Sequence, residues 1–173
     1  GTLAAAGDNG TGVASVAWSA RIMPVRITNR TDGWANGSDM IDGILWAADN
    51  GAGVVNISYD IGSADAAMND AAQYLRSKGG LLVMSAGNGD TDNGAGENPY
   101  IINVAATTRN DARASFSNYG NYIDVSAPGE DILTVWENKQ YGWAGGTSFS
   151  SPVAAGVVAL IKAANPNLTP DEV

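Results

Sequence analysis

A serine stands at the start of a predicted buried helix near the end of the chain. Residues 145–161 begin with two glycines and several hydroxyl side chains, pass through Pro152 and continue as an apolar run of small residues. The length and flanks of that run favour a helix. Proline is tolerated in the first helical turn, so the hydroxyls before it should lie at the electropositive N-terminus. Ser148 is thus a candidate nucleophile, although a simple N-cap also fits.

The chain contains no histidine. A Ser-His-Asp mechanism needs an imidazole of near-neutral pKa to take the hydroxyl proton, and no other side chain in this sequence does that in the same way. Residues 1–173 therefore cannot form a complete triad. Triad-dependent chemistry at Ser148 requires a base from elsewhere, so we expect the chain alone to be inactive.

The composition indicates a single globular domain over residues 1–173 with a sizeable core, since 45% of the residues are hydrophobic and 16% are charged. The net charge of −9 disfavours nucleic acid and anionic membrane as partners. There is no cysteine, which excludes disulfides and thiolate metal sites. No uninterrupted apolar run has the length of a membrane span.

Alternating strand-like and helix-like segments should position the serine. The pattern predicts strands at residues 19–27, 54–59 and 81–85, helices at 38–48 and 66–78, and the tail of a helix at 1–6. This alternation favours right-handed crossovers, so we expect an α/β fold: a three-layer, mostly parallel twisted sheet with helices on both faces. In such sheets functional residues gather at the carboxyl ends of the strands, where Ser58, Asn88 and the loop before Ser148 fall.

Four segments together resemble the subtilisin-like serine proteases, the subtilases. Gly-Thr-Ser-Phe-Ser-Ser-Pro at residues 146–152 resembles the family's nucleophile motif, and Ser-Ala-Gly-Asn-Gly at 85–89 resembles its oxyanion-hole segment. Residues 112–120 and 124–129 resemble two marker segments that lie between these motifs. The matches occur in the family's order and cover most of the chain, which implies a subtilisin-like fold.

The resemblance also implies a catalytic domain that is truncated at both ends. Residues 1–5 read like the end of the family's His-Gly-Thr-containing segment, so the histidine is expected shortly before Gly1 and the aspartate further upstream. The family continues beyond Val173. The expected partner is an N-terminal segment or separate fragment that supplies both groups. An exposed sheet edge is expected where upstream strands would pair.

By this resemblance Ser148 would attack a peptide carbonyl, and the side-chain amide of Asn88 would donate to the resulting oxyanion together with the backbone N–H of Ser148. For Asn88 a turn role also fits, because Asn-Gly readily takes left-handed conformations. A polypeptide substrate would lie as an added strand between edge segments. The implied substrate-binding residues are Gly33, Trp34, Ala35, Ser58, Tyr59, Asp60, Ser85, Ala86 and Gly87. Tyr59 and Asp60 depart from the family's Leu-Gly, so a plain surface turn remains the alternative there.

The loop at residues 7–12 resembles one that wraps a calcium ion in many subtilases. Carried over by position, the ligands would be the carbonyls of Ala6, Thr11 and Val13 and the side chain of Asn9, and such hard oxygen donors suit calcium. The family also uses an upstream carboxylate that this sequence lacks, so a turn without metal is the alternative. The family further implies a secreted protein.

Two functions remain open from the sequence. The first is a serine endopeptidase in which this chain supplies Ser148 and Asn88. The second is a non-catalytic subtilase-like module that binds extended peptide or a partner. They differ in whether a longer source sequence provides the histidine and the aspartate.

Overall fold

In the computed structural model, which describes residues 1–59 and 66–173, four parallel strands form the sheet that carries the candidate site. The elements in chain order are α1 (Gly37–Asp49), β1 (Val54–Ile57), α2 (Ala66–Ser77), β2 (Leu81–Ser85), β3 (Ile101–Thr107), β4 (Val125–Pro128), β5 (Ile132–Val135), a 3-10 turn (Glu137–Lys139), β6 (Tyr141–Ala144) and α3 (Thr147–Ala164). The order of the strands in the sheet is β1-β2-β3-β4, and β5 and β6 form a separate antiparallel pair.

The sheet lies between two helical layers. Leu82 and Met84 of β2 belong to a buried cluster that also contains side chains of α1 and α2. Leu81 and Val83 belong to a second buried cluster, shared with α3. Because successive residues of a strand point to opposite faces, the fully buried sequence of β2 serves both layers. The predicted three-layer α/β fold is confirmed.

Within the described residues, one helix, α3, is long and apolar enough to cross a membrane by length and composition alone. That helix packs against all four strands of the sheet. Ser150, Ser151 and Ala155 are fully buried on its sheet-facing side. Packing in the core therefore accounts for the apolar residues on the buried side of α3. Val157 and Leu160, on its outer side, are 45% and 48% exposed.

The predicted elements at 38–48, 54–59, 66–78 and 81–85 are confirmed as α1, β1, α2 and β2, with end shifts of at most two residues. Two of the predicted elements are wrong. Residues 2–4 form a turn and residues 1–6 contain no helix, and residues 19–27 form no strand.

The segment at 19–27 has a strand-like sequence but no pairing. In the part of the chain that the structure describes, residues 21–29 make no backbone-to-backbone hydrogen bond. The side chains of Val25 and Ile27 lie against α1 instead: a Cβ placed on Gly43 would lie 2.9 Å from Ile27 Cγ2 and 3.4 Å from Val25 Cγ1. Ile22 and Met23 of the same segment are exposed. A strand needs a neighbouring backbone as well as a sequence pattern, and here the neighbour is lacking.

Candidate active site

Ser148 lies in the first turn of α3. The helix begins at Thr147, with Gly146 as its N-cap, and the Ser148 side chain is half-buried. The backbone N–H of Ser148 has no hydrogen-bond partner within residues 1–59 and 66–173, as is usual for the first N–H groups of a helix. The structure therefore leaves both a hydroxyl and an unused backbone donor at this position.

Pro152 does not lie in the first turn, contrary to the sequence-based prediction. It is five residues after the start of α3, where a residue other than proline would donate its N–H to the carbonyl of Ser148. The hydroxyl of Ser58 donates to that carbonyl instead, at 3.0 Å. Ser58 thus takes over the hydrogen bond that proline cannot make, which fixes the start of α3 to the residue that follows β1.

Ser148 and Ser58 form a second hydrogen bond in the opposite direction: the hydroxyl of Ser148 donates to the carbonyl of Ser58 at 3.3 Å. Asn56 of β1 supports this pair: its Nδ2 donates to Ser58 Oγ at 3.1 Å, and its Oδ1 accepts from Ser151 Oγ at 2.7 Å. The acceptor of the Ser148 hydroxyl is therefore a carbonyl, which cannot act as a general base at neutral pH.

Asn88 lies in the loop that follows β2, opposite the start of α3. Its Oδ1 accepts hydrogen bonds from the backbone N–H of Thr147 at 2.8 Å and from the Thr147 hydroxyl at 3.1 Å. These two donors identify that atom as the amide oxygen, so Nδ2 is the atom left for another partner. Thr147 therefore fixes the orientation of the Asn88 side chain.

The Asn88 amide and the Ser148 backbone border one small space in front of Gly146. A Cβ placed on Gly146 would lie 3.8 Å from Asn88 Nδ2 and 3.8 Å from Ser148 N. Gly146 has φ 142°, a conformation that favours glycine. Two hydrogen-bond donors that border one space beside a serine hydroxyl can stabilise negative charge on an oxygen bound there.

Part of the predicted substrate-binding set lies close together. The Tyr59 hydroxyl donates to the carbonyl of Gly33 at 2.6 Å, and the Ser85 hydroxyl donates to the carbonyl of Tyr59 at 3.3 Å. Trp34 is 62% exposed, whereas Ala35 packs against the buried cluster of α1 and α2. The prediction for Asp60 lies outside the described residues.

The remaining members of that set lie at the end of β2 and at the start of the loop that follows it. Ser85, Ala86 and Gly87 are all buried. The backbone N–H of Ala86 donates to the carbonyl of Val104 at 3.1 Å, and the N–H of Gly87 donates to Thr147 Oγ1 at 3.1 Å. These N–H groups are engaged inside the protein, so their part in substrate binding stays a prediction.

The loop at residues 7–12 turns tightly through three left-handed residues: Asp8, Gly10 and Gly12. Asn9 is exposed, and its Oδ1 accepts the backbone N–H of Thr11 at 3.1 Å. Among the described residues no group of three or more His, Cys, Asp or Glu side chains could hold a metal ion. A cation here would therefore depend mainly on neutral oxygen donors, which fit calcium better than transition metals.

The sequence reasoning missed Asn118. It identified residues 112–120 only as a marker segment and gave this buried asparagine no role. In the structure its side chain contacts the loop that carries Asn88 on both sides of that residue. The sequence shows only an asparagine in a loop-like segment. Its partners lie about thirty residues away, and no local pattern identifies them.

Known proteins resemble this chain over nearly all of its length. It is 40% identical over 193 residues to an extracellular protease of Xanthomonas campestris pv. campestris, with 98% of this chain and 33% of that protein covered. It is 36% identical over 173 residues to subtilisin Savinase of Lederbergia lenta, with 96% and 62% covered. A solved structure of a protease from Pseudoalteromonas arctica matches with a TM-score of 0.90 and 37% identity, over 99% of this chain and 59% of that one.

The chain thus spans between one third and about two thirds of the length of these proteins. The family model described as the subtilase family matches residues 1–173. Because that match extends over every residue, and the fold agrees with a protease structure of the same architecture, the chain belongs to the subtilase family of subtilisin-like serine proteases.

Proposed function

We propose that this chain supplies the nucleophile and the oxyanion donors of a serine endopeptidase whose general base comes from outside residues 1–173. One observation carries the proposal. Thr147 holds Asn88 Oδ1, so that the Asn88 amide and the Ser148 N–H border the same space beside the Ser148 hydroxyl. That arrangement suits acyl transfer, in which an oxyanion forms beside the attacked carbon.

In the proposed reaction Ser148 Oγ bonds to a peptide carbonyl carbon while its proton passes to an external histidine. The electrons of the carbonyl double bond move to the oxygen, and Asn88 Nδ2 and Ser148 N donate to that oxyanion. Collapse of the intermediate breaks the C–N bond, and the histidine protonates the departing amine. Water then repeats the sequence on the acyl-serine and restores Ser148.

The partner in this proposal is an N-terminal segment that carries the histidine and the aspartate, on the same longer chain or on an associated fragment. Two features support it. The Ser148 hydroxyl bonds to a carbonyl rather than to a base. In the described part of the chain, β1 pairs only with β2, which leaves its other edge open to an additional strand.

The proposed substrate is an extended polypeptide that lies between residues 33–35 and residues 58–60. The hydrogen bond from the Tyr59 hydroxyl to the carbonyl of Gly33 supports this, because it links one residue of each segment. We also propose that the protein acts outside the cell, on the strength of its 40% identity to a protease named as extracellular.

A fluorophosphonate probe tests this function, because it reacts with activated serines. We expect labelling at Ser148 in the product of the complete reading frame, no labelling after Ser148→Ala, and none in the 173-residue chain alone. An Asn88→Ala variant should lower kcat by roughly 10² to 10³, which is the loss that follows removal of one oxyanion-hole donor in subtilisin.

If the product of the complete reading frame is not labelled although it is folded, the endopeptidase proposal fails. The non-catalytic alternative would then predict that a fluorescent extended peptide binds the folded chain and is recovered intact.

A further inference from the structure

Asn118 connects the marker segment to the loop that carries Asn88. Its side-chain Nδ2 donates to the carbonyl of Ala86 at 3.0 Å, and its Oδ1 accepts the backbone N–H groups of Gly89 at 2.8 Å and Thr91 at 3.2 Å. Its own backbone N–H donates to the carbonyl of Gly87 at 3.0 Å. We call these four hydrogen bonds the Asn118 clamp.

The clamp bonds the residues on both sides of Asn88 but leaves the Asn88 side chain free to contact Thr147. Asn118 is 4% exposed, and its hydrogen bond to the carbonyl of Ala86 is buried, whereas the bonds to Gly89 and Thr91 are partly buried. Tyr122, 2% exposed, adds a second donor to the carbonyl of Ala86, at 3.0 Å. The backbone that bears Asn88 is therefore held by a buried side chain from a different part of the sequence.

We propose that Asn118 is a positioning residue that sets the place of the Asn88 amide relative to Ser148. The inference rests on the proposed function, in which that amide donates to the oxyanion. Oxyanion donors act only when they are held in place before the reaction, and a shift of about 1 Å can cost roughly 10² in rate. A buried network of satisfied hydrogen bonds provides such rigidity.

The chemistry of the clamp requires an asparagine. Ala86 offers a carbonyl, which needs a donor, while Gly89 and Thr91 offer N–H groups, which need an acceptor. An amide supplies both, whereas a carboxylate supplies acceptors only. Asn118→Asp would retain the two acceptor bonds and place a carboxylate oxygen against the Ala86 carbonyl, and Asn118→Ser would remove all three side-chain bonds.

The first test uses the 173-residue chain and does not depend on activity. In Asn118→Ser we expect the backbone amides of Gly89 and Thr91 to exchange with solvent at least about tenfold faster, and the side-chain amide resonances of Asn88 to shift. Asn93 provides the matched control. Asn93 is an exposed asparagine of the same loop whose Oδ1 accepts the backbone N–H of Ala95, and Asn93→Ser should leave both signals unchanged.

The second test uses the product of the complete reading frame. Asn118→Ser and Asn118→Asp should lower kcat by about 10- to 100-fold, with KM changed less than about twofold. In an Asn88→Ala background the same substitutions should lower kcat less than about twofold, because the donor that they misplace is already gone. Leu75→Ala, in the fully buried core of α2, controls for loss of stability and should leave kcat unchanged at temperatures where it is folded.

Unchanged exchange and unchanged Asn88 resonances in Asn118→Ser would overturn the inference. So would an equal loss of kcat with and without Asn88. If the wild-type product shows no protease activity, the proposed function fails, and the resonances of Asn88 still decide whether Asn118 positions that side chain.

Discussion

Gly146 immediately precedes Thr147, which holds the Asn88 side chain, and Ser148, the candidate nucleophile. Its φ of 142° lies in a region that residues with a side chain rarely adopt. A Cβ at this position would lie 3.5 Å from Asn88 Oδ1 and would occupy the space that the Asn88 amide and the Ser148 N–H border. Both the backbone angle and the open space therefore call for glycine here.

Gly146→Ala should lower the free energy of unfolding by about 1–3 kcal/mol, because it forces a side chain into a strained conformation. It should also lower fluorophosphonate labelling of the complete product by at least about tenfold, since the oxyanion space is filled. Gly145→Ala is the matched control: its φ is not left-handed, and its Cβ would meet its nearest atom at 3.7 Å. Urea unfolding and labelling rates of both variants check this, and equal values would contradict it.

The residues of the site could be predicted from the sequence only where a motif carries them. Ser148 and Asn88 were identified through their motifs, and the structure brings them to the two sides of Gly146. Asn118 was missed because its importance arises from hydrogen bonds to backbone atoms of a distant loop. Sequence patterns report local conformation, whereas a buried polar contact between two loops depends on the folded chain.

At the level of elements, helices and strands whose pattern is satisfied locally or by an adjacent strand were predicted well. α1 and α2 each carry buried apolar residues at helical spacing within one segment, and both occur where expected. The prediction of a strand at 19–27 was wrong because a strand needs a neighbouring backbone to pair with. The prediction that Pro152 lies in the first turn of α3 was wrong because the hydroxyl of Ser58 donates the hydrogen bond that the proline cannot make. The sequence pattern cannot show that compensation.

The loop at residues 7–12 yields a prediction about metal removal. We propose that calcium binds through the carbonyls of Ala6, Thr11 and Val13 and the side chain of Asn9, since a net charge of −9 and oxygen donors favour a hard cation. With a Kd of about 1 mM, 10 mM calcium should add about 1.4 kcal/mol to the free energy of unfolding and raise Tm by roughly 3–6 °C.

Thermal unfolding in calcium, magnesium and EDTA measures that shift. Asn9→Ala should abolish the calcium effect, whereas Asn110→Ala, a change in another exposed loop, should retain it. Equal Tm values of the wild type in calcium and EDTA would contradict calcium binding at this loop.

Across the whole molecule, the open edge of the sheet is the feature that most needs a partner. Among the described residues β1 is the strand at this edge. Its sequence is Val-Val-Asn-Ile, and three of its four residues are only half-buried. Apolar edge strands without charged residues or a covering element tend to pair with other chains. Residues 21–29 also form no backbone-to-backbone hydrogen bond with any other residue that the structure describes. Both features are expected if a further segment completes the fold.

We therefore expect the backbone amides of β1 to exchange with solvent more slowly in the product of the complete reading frame than in the 173-residue chain. An added strand would hydrogen-bond the open edge, and amides protected at a strand edge open less often once both sides are paired. The amides of β3, which pairs with β2 and β4, serve as an internal reference for overall stability. The ratio of β1 to β3 exchange rates should fall by at least about tenfold. An unchanged ratio would mean that the base reaches Ser148 without a strand at this edge, and the partner would have to dock elsewhere.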